Sequence, residues 1–177
     1  MSTDPINPSP GRRSGAHTPV DWPSLTHAYG SAADLPALLD KLRTGTAAEA
    51  GRAVSDIVLR VCHQGAAVEE ATAPAVAVLM EIAASSDPHL TERIIRVLLT
   101  VSESLGTWAR SLRSAAPENT FRYVPRAGWE HEVLRSLRQG SESLGAAAAQ
   151  WTSPLSARFD ELVEAISAAE DRISGSL

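Results

Sequence analysis

Residues Asp34 to Gly65 and Thr72 to Leu105 carry one pattern twice: a short helix, a turn and a longer helix. Pro36 and Pro74 hold matching places in the two copies, 38 residues apart. A two-helix unit at that period leaves an apolar face bare until a neighbour stacks on it, which is the arrangement of a helical solenoid. The repeat speaks to architecture rather than chemistry, and it favours binding over catalysis.

Each copy is written in helix grammar. Asp34 stands at an N-cap position and Pro36 in a first turn, where the missing N–H costs nothing. Leu35, Leu38, Leu39 and Leu42 follow at helical spacing. Thr44-Gly45 stops that helix. Thr46 to Glu49 has the form of a capping box and starts the next. Val54, Ile57, Val58 and Val61 make its inner stripe, and Gly65 is its expected stop. In the second copy Thr72 is the expected cap. Val76, Leu79, Met80 and Ala83 repeat the stripe, and Asp87-Pro88 opens the partner helix. There Ile94, Val97, Leu98, Val101 and Leu105 face inward, and Ile95 with Leu99 widens the face, as in a helix covered on several sides.

Outside the two copies the signals weaken. Met1 to Val20 is rich in Pro, Ser and Gly, and too poor in large apolar residues to offset its ordering entropy. Residues 1–20 therefore read as a disordered tail and 21–177 as the folded domain. Gly106 to Gly128, broken by Pro117 and Pro125, reads as a loop with one helical turn. Trp129, Val133, Leu134 and Leu137 begin a further helix, weakened by Gly140 and Gly145 at about 1 kcal/mol each relative to Ala. Ser153-Pro154 opens the last helix, with Leu155, Phe159, Leu162, Val163 and Ile166 inward. This pair reads as a degenerate third repeat.

The composition narrows the functions. Apolar residues make up 44% of the chain, with two Phe and two Tyr, so Leu, Val, Ile and Ala must build the core. A formal charge of −5 and a pI near 5.5 argue against a general nucleic-acid binder. Cys62 is the single cysteine, so neither an intrachain disulfide nor a multi-cysteine zinc site can form. No apolar run approaches the roughly 18–20 residues of a membrane span, and no secretory h-region is visible, so a cytoplasmic location is expected.

The two copies resemble HEAT repeats. Pro36-Ala37-Leu38-Leu39, Pro74-Ala75-Val76-Ala77, the Asp87-Pro88 turn, and Arg52 and Arg93 early in the second helices carry the likeness. The chain is also similar to small HEAT-like proteins of actinobacteria. Those carry a Trp-x-x-Leu-x-His-Ala-Tyr-Gly opening, here Trp22 to Gly30, and a His-Gln-Gly segment followed by Ala-Thr-x-Pro, here His63-Gln64-Gly65 and Ala71-Thr72-Ala73-Pro74. The likeness covers Trp22 to Leu105. It departs from the pattern where Thr44-Gly45-Thr46 replaces the usual Asp-Pro turn. It implies a scaffold or partner-binding surface, in some relatives of antitoxin or immunity type.

Four residues stand out as candidate partner contacts: Arg52, Arg93, His27 and His63. Arg52 and Arg93 sit on second helices, which share one face of a solenoid and suit an acidic partner. Arg60 and Arg96 are spaced for intrahelical pairing with Asp56 and Glu92, as Arg52 is with Glu49. His27 and His63 either staple the opening loop to the first repeat or join Cys62 around a metal. Trp22, Trp108, Trp129 and Trp151 are the remaining large aromatics with a possible surface role, and core packing is the commoner fate of such residues. Arginines outnumber carboxylates between Arg93 and Arg138, and the reverse holds from Arg158 onward, so the two regions can either face each other within the fold or bind a charged partner. No phosphate loop, H-E-x-x-H or nucleophile elbow is present.

The expected molecule is all-α: a superhelical, HEAT-like α-solenoid of about two to three helix pairs. Its expected work is non-enzymatic protein binding along one face, with no cofactor, catalytic residue or metal ligand assigned. The other reading is a metal-assisted or base-processing enzyme on the same scaffold.

Overall fold

The computed structural model describes residues 19–175, and the protein is all-α. The expected tail lies outside the described residues except for Pro19 and Val20, both exposed. The principal helices are α1 (Leu35–Thr44), α2 (Ala47–Val61), α3 (Thr72–Ser85), α4 (Pro88–Ser104), α5 (Thr107–Ser114), α6 (Val124–Ala148) and α7 (Leu155–Ser174). Short 3-10 turns cover Trp22–Ser24, Ala32–Asp34 and Pro117–Arg122. Two small antiparallel hairpins complete the chain: β1 (Thr26–His27) with β2 (Gly30–Ser31), and β3 (Cys62–His63) with β4 (Ala67–Val68).

The starts of α2 and α4 follow from local chemistry. Thr46 and Glu49 form a complete capping box at α2. The Asp87 carboxylate accepts from the amides of His89 (2.9 Å) and Leu90 (3.2 Å) at α4. The expected stripes are buried: Leu35, Leu38, Leu39 and Leu42 in α1, Val54, Ile57 and Val61 in α2, and Val76, Leu79, Met80 and Ala83 in α3. In α4 Ile94, Ile95, Val97, Leu98, Leu99 and Val101 are all buried. That wide stripe has a cause, because α2, α3 and α7 all pack on α4. In α7 Leu155, Leu162 and Ile166 are buried, while Val163 is exposed.

The helices pack in two rows. Consecutive pairs α1–α2, α3–α4 and α6–α7 are in contact; α3 lies between α1 and α6, and α4 between α2 and α7. The longest seam is α3 along α6. There a Cβ on Gly140 would stand 2.5 Å from Cγ of Met80, so a bare backbone is what allows the approach. Gly140 therefore sits inside a continuous α6, where its intrinsic cost to the helix is set against the close approach of α3.

Several expected boundaries move. Helix α2 ends at Val61 rather than near Gly65, because Cys62 and His63 leave it to pair with Val68 and Ala67. Gln64 and Gly65, both at positive φ (53° and 68°), turn that hairpin. Thr72 lies inside α3; its buried hydroxyl donates to the Val61 carbonyl and accepts from the Glu69 amide, fastening the hairpin to the end of α2. The segment after Gly106 is more ordered than a loop. It holds α5, a 3-10 turn begun by Pro117, and the first turn of α6 with Pro125.

Candidate functional site

The turns that join α1 to α2 and α3 to α4 stand side by side, and between them lies a cleft of about 700 Å³. Arg43, Gly51, Glu81, Asp87, His89 and Arg93 are among its walls. Arg93 comes from the second turn of α4 and crosses to α2, where its Nη2 donates to the Gly51 carbonyl at 2.9 Å. A Cβ on residue 51 would stand 2.5 Å from Nη1, so the missing side chain makes the seat for the guanidinium. Arg93 also lines a shallower hollow with Arg52, Ser55 and Asp56. The structure thus brings Arg52 and Arg93 to one surface. Among the carboxylates here, Asp87 is engaged on the amides of α4, and Glu81 approaches Arg43 at 3.9 Å. That exposed pair adds little to stability.

His27 and His63 lie at the other end of α2. The β1–β2 hairpin is laid on that end by the Ala28 amide, which donates to the Arg60 carbonyl at 3.2 Å. Asp34 ties the hairpin down: its carboxylate meets His27 Nε2 at 3.0 Å and Arg60 Nε at 2.6 Å. It makes no capping hydrogen bond at α1, and Arg60 pairs with Asp34 rather than with the Asp56 carboxylate. His27 Nδ1 accepts from the Tyr29 amide at 3.0 Å, which leaves Nε2 as the donor to Asp34. Burial pushes the Asp34 carboxyl up, but the hydrogen bonds from Arg60 and His27 outweigh it and hold the pKa below the ordinary value.

Both imidazoles meet the ring of Tyr29 edge-on, with centroids 6.2 Å away for His27 and 5.5 Å for His63. Nδ1 of His63 is buried with no hydrogen-bond partner among the described residues. Cys62 does not join them. Its thiol points to the Thr100 carbonyl in α4, and burial pushes its pKa up, as for a packed thiol. Among the described residues no group of three or more His, Cys, Asp or Glu side chains is placed to hold a metal.

Sequence reasoning missed a polar junction where α4, α5, α6 and α7 meet. Glu130 is fully buried in α6, and its carboxylate accepts from the amides of Gly106, Trp108 and Ala109, each at 2.9 Å. Arg172 of α7 donates to the Leu105 carbonyl (Nε, 3.1 Å) and the Ser102 carbonyl (Nη2, 2.7 Å) at the end of α4. An anion thus caps a helix start and a cation a helix end, as the helix dipoles favour. Trp108 anchors α5 to the second hairpin through Nε1 and the Val68 carbonyl (2.8 Å), and Arg126 lies over its ring at 5.0 Å. Near Arg126, burial pushes the Glu69 carboxyl up, with Arg126, His63 and His27 pulling the other way. These partners lie far apart in sequence, and no local signal announces them. The basic middle and the acidic last helix do meet, through Arg138 and Glu170 at 2.7 Å.

Compared with protein-family models, with curated proteins and with solved structures, the chain matches none.

Proposed function

We propose that this chain is a non-enzymatic interaction module, a HEAT-like α-solenoid of two to three helix pairs that binds one protein partner along the α2–α4 face. The two-row contact order, with α3 and α4 each between neighbours of their own row, supports the repeat reading. The observation that carries the binding reading is the seating of Arg93 on Gly51. It holds the half-buried guanidinium of an exposed arginine where the cleft and the Arg52 hollow meet. A preorganised arginine loses little freedom on binding a carboxylate, and Arg52 beside it adds a second cation. An immunity-type or regulatory inhibitor, taking an acidic surface of its target, is one form of this module.

The test is the affinity of a purified partner, followed against salt, for the wild type and for Arg52→Glu. The reading expects an association rate that falls as salt rises, and binding at least about tenfold weaker in the variant at low salt. Equal affinities would remove Arg52 from the interface.

A further inference from the structure

The turn Pro117–Arg122 and the first turn of α6 present an unusual surface. Phe121 is 67% exposed and Val124 56%. The Arg122 guanidinium carbon lies over the Phe121 ring, 5.5 Å from its centre. Behind this surface the chain is firmly braced. Thr120 Oγ1 donates to the Pro117 carbonyl (2.9 Å), the Tyr123 amide donates to the Thr120 carbonyl (2.9 Å), and Tyr123 packs on Trp108 at 6.4 Å. Arg126 Nη1 donates to the Arg122 carbonyl at 2.9 Å. A braced turn that holds a phenylalanine in water forgoes part of the roughly 1.5–3 kcal/mol that burying the side chain would yield. Single exposed apolar residues are ordinary, but here two lie three residues apart and an arginine overlies one of them.

Charge completes the picture. From Thr107 to Gly128 the chain carries Arg110, Arg113, Arg122 and Arg126 against Glu118 alone, within a protein of net charge −5. Arg126 is engaged, over the Trp108 ring and on the Arg122 carbonyl, so Arg122 is the more available cation. We infer that this turn is a second docking site, which takes an acidic segment of a protein partner with an apolar side chain among its carboxylates. Phe121 and Val124 would receive the apolar group, and Arg122, over the Phe121 ring, a carboxylate in bidentate fashion. Single-stranded nucleic acid fits less well. It stacks successive bases on several open rings, whereas in this turn Phe121 is the one open ring: Trp108 is covered by Arg126 and Tyr123 is turned against Trp108. This inference is independent of the α2–α4 reading, since it rests on different residues.

The experiment titrates the full chain into a fluorescein-labelled peptide of Asp and Glu residues around a central Leu pair, read by anisotropy at low salt. A second peptide carries Asn and Gln in place of the acids, and an oligothymidine strand serves as competitor. The expected result is saturable binding of the acidic peptide, weaker by about tenfold or more in Phe121→Ser/Arg122→Ser and unchanged in Arg158→Ser, a cation of α7 outside both surfaces. The uncharged peptide should bind at least about tenfold more weakly, and oligothymidine should not displace the acidic one. Circular dichroism reports the fold of each variant, and Arg122→Ser alone serves if the double variant does not fold. No binding of the acidic peptide, equal binding by folded variants, or preference for oligothymidine would each overturn the inference.

Discussion

The guanidinium of Arg93 lies on the backbone of Gly51, with Nη2 2.9 Å from the carbonyl oxygen. Two second helices are joined there by a side chain that is nonetheless exposed. The contact couples the packing of α2 to the surface proposed for binding, since any side chain at position 51 evicts the guanidinium from its seat. The atom evicted is the tip of a flexible side chain, so the eviction reaches the surface more than the core.

Glu130 carries a different weight. Its carboxylate satisfies three amides at the start of α5, and nothing else among its hydrogen bonds replaces it. Glu130→Ala leaves those donors buried and unpaired, and a loss of about 3 kcal/mol or more is expected. Urea unfolding measures it. A loss below about 1 kcal/mol would mean that the amides find other partners.

The α3–α6 seam is tight at one point. Gly140→Ala brings a Cβ against Met80 and should destabilise by about 1–3 kcal/mol, although Ala is the better helix former. Met80→Ala in the same chain should recover part of the loss, and a double-mutant cycle reads the coupling. Additive losses would show that the two residues do not collide.

The pH response should hold two opposed contributions. Asp34 has a folded pKa below its ordinary value, so its stabilising contribution is present above the unfolded pKa, near about 3.9. It is lost as pH falls through the folded pKa. Glu69 has a folded pKa above its ordinary value, so it costs stability at neutral pH, and the cost fades as pH falls through that raised pKa. Accordingly Asp34→Asn should lower the melting temperature at neutral pH and converge with the wild type in acid. Glu69→Gln should raise it at neutral pH and also converge in acid. Parallel curves over the whole range would contradict both assignments.

Much of this fold is legible in the sequence because it is local. The stripes of α1 to α4 recur at helical spacing, Thr46 and Glu49 are three residues apart, and Asp87 sits beside the amides it caps. What is not legible depends on partners far along the chain. Helix α5 has no cap of its own and is started by Glu130 from α6. Asp34 looks like a cap in sequence, yet Arg60 and His27 draw its carboxylate away. The site divides the same way. Matching repeat positions foretell that Arg52 and Arg93 share a surface, whereas the crossing of Arg93 to Gly51 needs the packed helices.

The most direct test of the account is retention of a partner by immobilised wild-type chain and by immobilised Gly51→Ala. The variant loses one hydrogen bond of about 0.5–1.5 kcal/mol and gains about 0.5–1 kcal/mol from replacing a helical glycine, so its melting temperature should hardly move. Lysate of the native host is passed over both at low salt, and the bound proteins are quantified. The account predicts a protein held by the wild type, released as salt rises, and retained at least about tenfold less by Gly51→Ala. Equal retention on the two supports, with both chains folded, would contradict the claim that the Arg93 seat is the binding face.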